Sequence, residues 1–177
     1  MGLIDVKNRV LERGIHYLTS GYGERTLNGK KEFHYGVDLV SYYNGATTID
    51  YVVSYADGVV TYNGFNGDRG YCVTINHGDF ETIYQHLRYQ SILPVGMQVK
   101  AGWVVGLMGA TGYSVGGAHL HFGVYKDGEW IDPMPYLMEE DENSWDWAVK
   151  NGIVLPYADK KAIPTNEEVV SMLYMMP

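Results

Sequence analysis

Between Phe33 and Tyr125 the chain is a succession of short apolar runs separated by turn residues, and this pattern limits the possible folds more than any other feature. The runs are rich in β-branched and aromatic residues, which favour strands. Asp57-Gly58 is a hairpin signal, and His77-Gly78-Asp79 is the turn of the clearest hairpin. The strands are expected near residues 37–40, 51–55, 59–62, 71–76, 81–87, 103–108 and 119–125. This spacing favours an antiparallel sandwich or curled sheet over an α/β fold, so the predicted fold class is mainly β.

The N-terminal segment carries a different pattern. A one-sided apolar stripe from Asp5 to about Arg13, with Gly14 behind it, predicts a short helix. Residues 15–19 then alternate as a strand does, and residues 20–23 form a glycine-rich turn.

Composition shifts near residue 138, where an acidic linker begins. Capping residues predict two short helices beyond it, over residues 144–150 and about 165–175. Helices this short bury little apolar surface alone, so we expect them to dock on the β domain, on each other or on a partner. The sequence therefore predicts a β domain over 1–138 and a helical tail over 139–177.

Charge and cysteine content exclude several classes of function. The 177 residues carry a net charge of −8 and no basic run, so nucleic-acid binding has no electrostatic support. Cys72 is the only cysteine, which rules out an intrachain disulfide and a cysteine-based zinc site. We interpret it as a small buried strand residue.

Membrane and export signals are also missing from the sequence. No apolar segment has the length of a transmembrane helix, so no membrane insertion is expected. The first residues, Met-Gly-Leu-Ile-Asp, lack the pattern of a signal peptide. We expect synthesis in the cytosol and release by another route, or prior removal of an export signal.

Four histidines and one aspartate carry the chemistry. In His119-Leu120-His121 the two imidazoles face one side of a strand, because residues i and i+2 share a face. His34-Tyr-Gly-Val-Asp38 adds an imidazole and a carboxylate, and His86 lies between the two motifs. Two histidines and one aspartate would leave a fourth zinc position open for water, as in catalytic rather than structural sites. Hydrolysis is therefore the leading hypothesis for the combination, although each motif alone is more often explained by packing.

The remaining histidines have simpler interpretations. His16 lies in an alternating run and is interpreted as a surface or packing residue, and His77 as a hydrogen-bonding residue of a turn. Alternation places Tyr84 on the same face as His86, with sheet packing as the equal alternative for Tyr84.

Residues 20–137 resemble the lysostaphin-like, or LytM-type, zinc endopeptidases that cut peptidoglycan peptides. The resemblance lies in an ordered series of motifs, which is far more specific than any one of them. The motifs are Ser20-Gly-Tyr-Gly-Glu-Arg25, Phe33-His-Tyr-Gly-Val-Asp38, Tyr84-Gln-His-Leu87, Gly109-Ala-Thr-Gly112, His119-Leu-His-Phe122 and Asp132-Pro133.

The resemblance implies roles for all five site residues. His34, Asp38 and His121 match the family's zinc ligands, which implies one Zn²⁺ per chain. His86 and His119 match its two non-ligand catalytic histidines. Because all five positions are kept, the resemblance implies an active metalloendopeptidase acting on bacterial peptidoglycan.

Three segments depart from the family's pattern. Gly123 stands where glutamate is frequent, residues 116–118 read Gly-Gly-Ala where a proline is common, and residues 47–53 look longer than their counterpart. None of these positions is a ligand, so they concern the shape of the substrate groove and the bond that is cleaved.

The tail resembles part of an S-layer-homology-type repeat, through residues 147–153 and 165–168 before Met172-Leu-Tyr174. A wall-binding element, a homodimerisation element and a packing appendage are all open readings of it. For the whole chain, the expected function is that of a phage endolysin. A tail-associated virion lysin, a bacterial enzyme, a non-enzymatic wall-binding or regulatory module, and a purely structural β domain are the alternatives.

Overall fold

A computed structural model describes residues 2–4, 10–12, 15–43, 46–114 and 116–138. Backbone contacts separate residues 1–138 from residues 139–177. The two helices expected in the tail lie outside the described residues and stay predictions, as does the tail's role.

Strands dominate the described part of the chain. In order they are β1 (Gly2–Ile4), β2 (Ile15–Ser20), β3 (Gly23–Leu27), β4 (Lys30–His34), β5 (Val37–Tyr43), β6 (Ala46–Thr48), β7 (Tyr51–Val53), β8 (Gly58–Phe65), β9 (Tyr71–Asn76), β10 (Glu81–Leu87), β11 (Gln98–Val99), β12 (Val104–Leu107), β13 (Leu120–Lys126) and β14 (Glu129–Ile131). A 3₁₀ turn spans Gly67–Arg69, and one short helix, α1, spans Met134–Leu137.

Ten of the strands form one antiparallel sheet. Its order is β1-β2-β5-β13-β10-β9-β8-β11, with β6 paired to β5 and β14 paired to β13. Two separate ribbons, β7 with β12 and β3 with β4, complete the fold. Every strand pair in the described residues is antiparallel, so the prediction of a mainly β, antiparallel fold is confirmed.

The core lies on one face of this sheet. Leu120 and Phe122 point into it from β13, and the Tyr84 ring packs 5.5 Å from the Phe122 ring. Each such side chain contributes about 1.5–3 kcal/mol of burial free energy. The core residues are Val10, Leu11, Val37, Leu39, Val52, Val60, Val73, Ile75, Tyr84, Leu87, Leu93, Val99, Val105, Met108, Leu120, Phe122, Val124 and Leu137.

The structure corrects one expectation about local pairing and adds one hairpin. Asp57-Gly58 does not close a hairpin, because β7 pairs with β12 while β8 pairs with β9 and β11. Instead, the Asp57 carboxylate binds Lys100 Nζ at 2.7 Å and accepts from the Ala101 amide at 2.9 Å. The β3–β4 hairpin was not predicted, although its Asn28-Gly29 turn, with φ of +50° and +77°, is a strong hairpin signal.

The expected N-terminal helix is absent from the described part of residues 5–13. Residues 10–12 are not helical, since Leu11 forms a β-bridge with Val52 and is fully buried. Val10 and Leu11, two residues of the apolar stripe that suggested a helix, are instead buried beside β7. The rest of that expected helix, residues 5–9 and 13, lies outside the described residues.

Two smaller expectations, on Cys72 and His16, are met. Cys72 is buried on β9, and burial raises the pKa of its thiol. His16 is buried on β2. Within the described residues, no helix is long and apolar enough to span a bilayer.

Candidate metal centre and catalytic cleft

Two adjacent strands bring the first ligands together. β5 and β13 are neighbours, and their register places Asp38 opposite His121. Leu120 and Phe122 face the core, so His121 faces the other side of the sheet with His119, as the His-x-His spacing predicts.

His34 reaches the same point from the end of β4. The corner to β5 passes through Gly36, where a Cβ atom would lie only 2.5 Å from His121 Nε2 and 2.6 Å from the Phe122 carbonyl oxygen. Glycine is therefore required at this position for the corner to approach the ligand.

Three potential ligand atoms form a small triangle. His34 Nε2 lies 2.9 Å from His121 Nδ1, and both lie 3.1 Å from Asp38 Oδ1. All three residues are buried, at 4–8% exposure.

The triangle fits a tetrahedral zinc ion. Bonds of about 2.0–2.1 Å place neighbouring tetrahedral ligands about 3.3 Å apart, close to the separations of 2.9–3.1 Å found here. Three acceptor atoms this close repel one another unless a cation or a proton lies between them. Two imidazoles and a carboxylate are ligands that zinc accepts, and they leave one position open. The structure thus brings the three predicted ligands together in a metal-binding arrangement.

His86 enters the site through a bulge. It lies on β10 with a φ of +61°, and the pairing of β10 with β9 shifts register between Tyr84 and Leu87. The bulge breaks the strand's alternation. The expectation that Tyr84 and His86 share a face is therefore wrong: Tyr84 is fully buried in the core, where its hydroxyl accepts from the Tyr55 amide at 2.8 Å. Burial raises the pKa of Tyr84 to about 12.

Main-chain carbonyls fix three of the four rings. The Nδ1–H groups of His34, His86 and His119 donate to the carbonyl oxygens of Gly21 (2.7 Å), Thr111 (2.9 Å) and Gly117 (2.9 Å). A carbonyl oxygen can only accept, so each Nδ1 carries the proton and each neutral ring presents an Nε2 lone pair inward.

The two non-ligand histidines lie beside the triangle. The rings of His86 and His119 are 4.9 Å apart, and His119 Nε2 is 3.6 Å from Asp38 Oδ1. Burial lowers the pKa of His86, which favours the neutral form that can accept a proton. The structure therefore assembles all five predicted site residues.

Arg25 supports Asp38 from outside the triangle. Arg25 Nη1 donates to Asp38 Oδ2 at 3.0 Å and to Ser20 Oγ at 2.8 Å, while its Nε donates to Glu32 Oε1 at 2.7 Å. Burial alone would raise the pKa of Asp38, but the His121 and His34 rings outweigh it, by hydrogen bonding and by charge when they carry a proton toward the carboxylate, and hold the pKa well below its usual range. Burial lowers the pKa of His121 to about 4.

Sequence reasoning did not assign Arg25 or Thr111 a role in the site. Thr111 Oγ1 donates to the Leu87 carbonyl at 2.6 Å and accepts from the Tyr71 amide at 3.0 Å, which places the Thr111 carbonyl against His86. Both residues lie in motifs noted above, so the sequence signal was present. Their contacts depend on loop paths that spacing does not reveal.

Two cavities open onto the site. One, of about 330 Å³, is lined by the β3–β4 hairpin, Tyr113, His86 and His121. The other, of about 530 Å³, extends along Val40, Met108 and residues 116–118. They share Thr19, Asp38 and His119, so together they form a cleft that passes over the triangle.

Comparison with known proteins matches the chain to a family of peptidases. The sequence profile of peptidase family M23 matches residues 32–133. The DD-carboxypeptidase/endopeptidase Mpg of Neisseria meningitidis is 35% identical over 88 residues, which make up 49% of this chain and 20% of that protein. The chain thus spans about a fifth of that relative's length.

Two solved structures share the fold. The catalytic domain of the antimicrobial peptidase lysostaphin from Staphylococcus simulans is 31% identical with a TM-score of 0.57, covering 69% of this chain and 92% of that one. A variant of the catalytic domain of the prophage-encoded M23 protein EnpA from Enterococcus faecalis is 28% identical with a TM-score of 0.55, covering 67% and 88%.

Proposed function

Because the chain belongs to peptidase family M23, we propose that it is an endopeptidase that hydrolyses peptide cross-links or cross-bridges of bacterial peptidoglycan. The family comprises zinc metallopeptidases, and the site of His34, Asp38 and His121 is intact in this chain. The observation that carries the proposal is the meeting of this triangle with two further imidazoles in an open cleft.

The three ligands would hold one zinc ion, which when bound polarises a carbonyl group and lowers the pKa of a coordinated water. After the carboxylate is counted, the site keeps one net positive charge toward the substrate. Arg25 holds Asp38 Oδ2, so Oδ1 alone faces the metal position.

His86 and His119 would then serve as the general base and general acid. In the neutral state each presents Nε2 without a hydrogen, so either can accept a proton from the attacking water. Once protonated, the same nitrogen can donate to the developing oxyanion or to the leaving amine. The carbonyls of Thr111 and Gly117 hold the rings in place during this exchange.

Similar proteins support peptidoglycan as the substrate. One is named a DD-carboxypeptidase/endopeptidase, and another is the antimicrobial peptidase lysostaphin. We extend the proposal to a phage lysin, made in the cytosol and acting on the wall after release, for which the prophage-encoded relative offers support. The tail at 139–177 would hold the enzyme at the wall or pair two chains.

A non-enzymatic wall-binding or regulatory module is the second candidate function. Loss of a ligand would favour it, whereas His34, Asp38 and His121 are all present and lie close together, with His86 and His119 beside them.

Digestion of purified peptidoglycans with different cross-link chemistry, followed by mass analysis of the fragments, tests the proposal. The zinc-loaded protein should release fragments cut at one type of peptide bond, and a His86→Ala protein should not. Intact peptidoglycan in every digest would exclude the enzymatic function and leave the binding module.

A further inference from the structure

The two halves of the cleft differ in chemistry. The smaller cavity contains Arg25 and Glu32, which are bound to each other, together with Thr26 and the exposed Tyr113. The larger cavity has an apolar floor of Val40 and Met108, both almost fully buried. A substrate lying across the metal position would place its two flanking residues in unlike surroundings.

The larger cavity carries almost no charge. Among the described residues that line it, Asp38 is the only acidic one, and its carboxylate is held by Arg25 and faces the ligand triangle. Ile49 and Ala118 extend the apolar surface, and the hydroxyl groups of the described lining belong to Thr19, Thr47 and Thr48. Apart from His119 at the edge shared with the smaller cavity, no basic side chain of the described lining is available to pair with a substrate carboxylate.

Two segments, residues 47–49 and residues 116–118, form much of the wall of this cavity. Gly116 and Gly117 have φ of +91° and +101°, and no atom lies within 4 Å of a Cβ built at either one. This wall therefore presents backbone rather than side chains and leaves the cavity wide.

We propose that the larger cavity is a specificity subsite for an uncharged, apolar residue of alanine size or larger next to the scissile bond. The proposal rests on the peptidase function proposed above. A volume of about 530 Å³ far exceeds what glycine fills, so a glycine at this position would leave the apolar floor in contact with water. An ionised side chain would lose hydration without gaining a lysine or arginine partner among the described lining residues.

The energetic consequence can be stated as rate ratios. Added apolar carbon in such a pocket changes kcat/KM by roughly tenfold or more per group, because the contact is made in the transition state. A buried, unpaired charge should reduce kcat/KM by at least about a hundredfold. The selected bond is thus one flanked by an alanine-like residue rather than a bond between two glycines.

Two series of synthetic peptides test this subsite with the zinc-loaded full-length protein. In one series the residue before the bond that is cut in peptidoglycan is varied among glycine, alanine, valine, glutamate and lysine, and in the other the residue after it is varied. One series should show alanine and valine above glycine, with glutamate and lysine far below, as measured by kcat/KM.

A substitution at the rim of the larger cavity identifies which of the two peptide series varies the residue that binds there. Ile49 is 41% exposed, so Ile49→Lys should fold and place a cation beside the cavity. It should raise kcat/KM for the glutamate peptide relative to the alanine peptide in that series only. Thr26→Lys is the matched control, because it adds the same charge on the hairpin side of the cleft and should leave this preference unchanged.

The possible outcomes distinguish failure of the subsite proposal from failure of the proposed peptidase function. Cleavage with equal rates for all five residues in both series, or a preference for a charged residue that Ile49→Lys does not alter, would overturn the subsite and leave the peptidase. Failure to cleave any peptide or any peptidoglycan would overturn the peptidase function and the subsite with it.

Discussion

Arg25 and Asp38 form an ion pair at 3.0 Å, and as a result the two carboxylate oxygens of Asp38 have different partners. Oδ2 is held by the guanidinium, while Oδ1 faces the imidazoles of His34 and His121. Arg25 is itself fixed by Glu32, its cross-strand partner on the β3–β4 hairpin. The hairpin therefore determines how Asp38 is presented to a metal.

Arg25→Ala should weaken zinc binding while leaving the ligands in place. Residues that hydrogen-bond to a metal ligand typically change metal affinity by 10–100-fold when they are replaced. Arg25→Lys should recover part of the affinity that Arg25→Ala loses. Competition with a chromophoric chelator measures the affinity. Glu32→Gln should cause a smaller loss, since Glu32 contacts Arg25 but not Asp38. Unchanged affinity in Arg25→Ala would show that the pair has no role in presenting Asp38.

The chain should bind one zinc ion through His34, Asp38 and His121. Asp38→Ala removes one ligand and the carboxylate charge, and should weaken binding by several kcal/mol out of a typical total of about 10–16 kcal/mol. Elemental analysis after dialysis measures the zinc content. A His121→Ala protein that retains a full equivalent of zinc would contradict the ligand assignment.

His86→Ala and His119→Ala should lose turnover and keep the metal. Proton transfer and oxyanion stabilisation are each worth roughly two to four orders of magnitude in rate. Turnover of the cleaved peptide and zinc content are measured on the same samples. His77→Ala is the control, because His77 lies outside the site and hydrogen-bonds Asp57 and Thr82. Near wild-type turnover in either site variant would exclude its catalytic role.

The metal-free protein should lose stability as the pH falls from about 6.5 toward 4. Burial lowers the pKa of His121 to about 4 and also lowers the pKa values of His86 and His77. Unfolding returns each imidazole to a pKa of about 6.5, so the unfolded chain binds more protons in this window. The stabilising contribution is complete above about pH 6.5 and is lost on acidification.

For His121 alone the loss is on the order of 3 kcal/mol. Urea unfolding of chelator-treated protein at several pH values measures the free energy of unfolding. A free energy of unfolding that stays constant or rises as the pH is lowered from about 6.5 to about 5 would contradict the assignment of neutral, buried imidazoles.

A chain ending at Met138 should fold, bind zinc and cleave a soluble peptide. Leu137 is fully buried in the core and the Met138 amide donates to the Met134 carbonyl at 2.8 Å, so the last turn is kept by this cut. Activity on whole cell walls should fall if the tail raises the local concentration of the enzyme. Soluble yield, melting temperature and peptide turnover are compared with the full chain. An insoluble product would show that residues 139–177 belong to the core.

The alternation of apolar residues predicted most of the sheet. β9 and β10 occur at the predicted residues, and Leu120 and Phe122 are buried behind the His-x-His pair as expected. These features depend only on the two-residue period of a strand, which is visible in the sequence itself.

Other features depend on backbone paths that a period cannot show. The face of His86 was misread because its positive φ interrupts β10, and the Arg25 contact requires the β3–β4 hairpin to fold over Asp38. The strands around Asp57-Gly58 looked like a hairpin but find other partners, because strand pairing is decided by the whole sheet.

The carbonyl groups that orient the site have a consequence for how such a peptidase can diversify. Any amino acid offers the same carbonyl, so the tautomers of His34 and His119 are set by the course of the backbone at Gly21 and Gly117, whereas at Thr111 the side chain also helps to place the carbonyl that holds His86. Loop residues other than Thr111 can then be exchanged during evolution or in the laboratory without changing which ring nitrogen carries the proton. New cleavage preferences become accessible by steps that each leave a working enzyme.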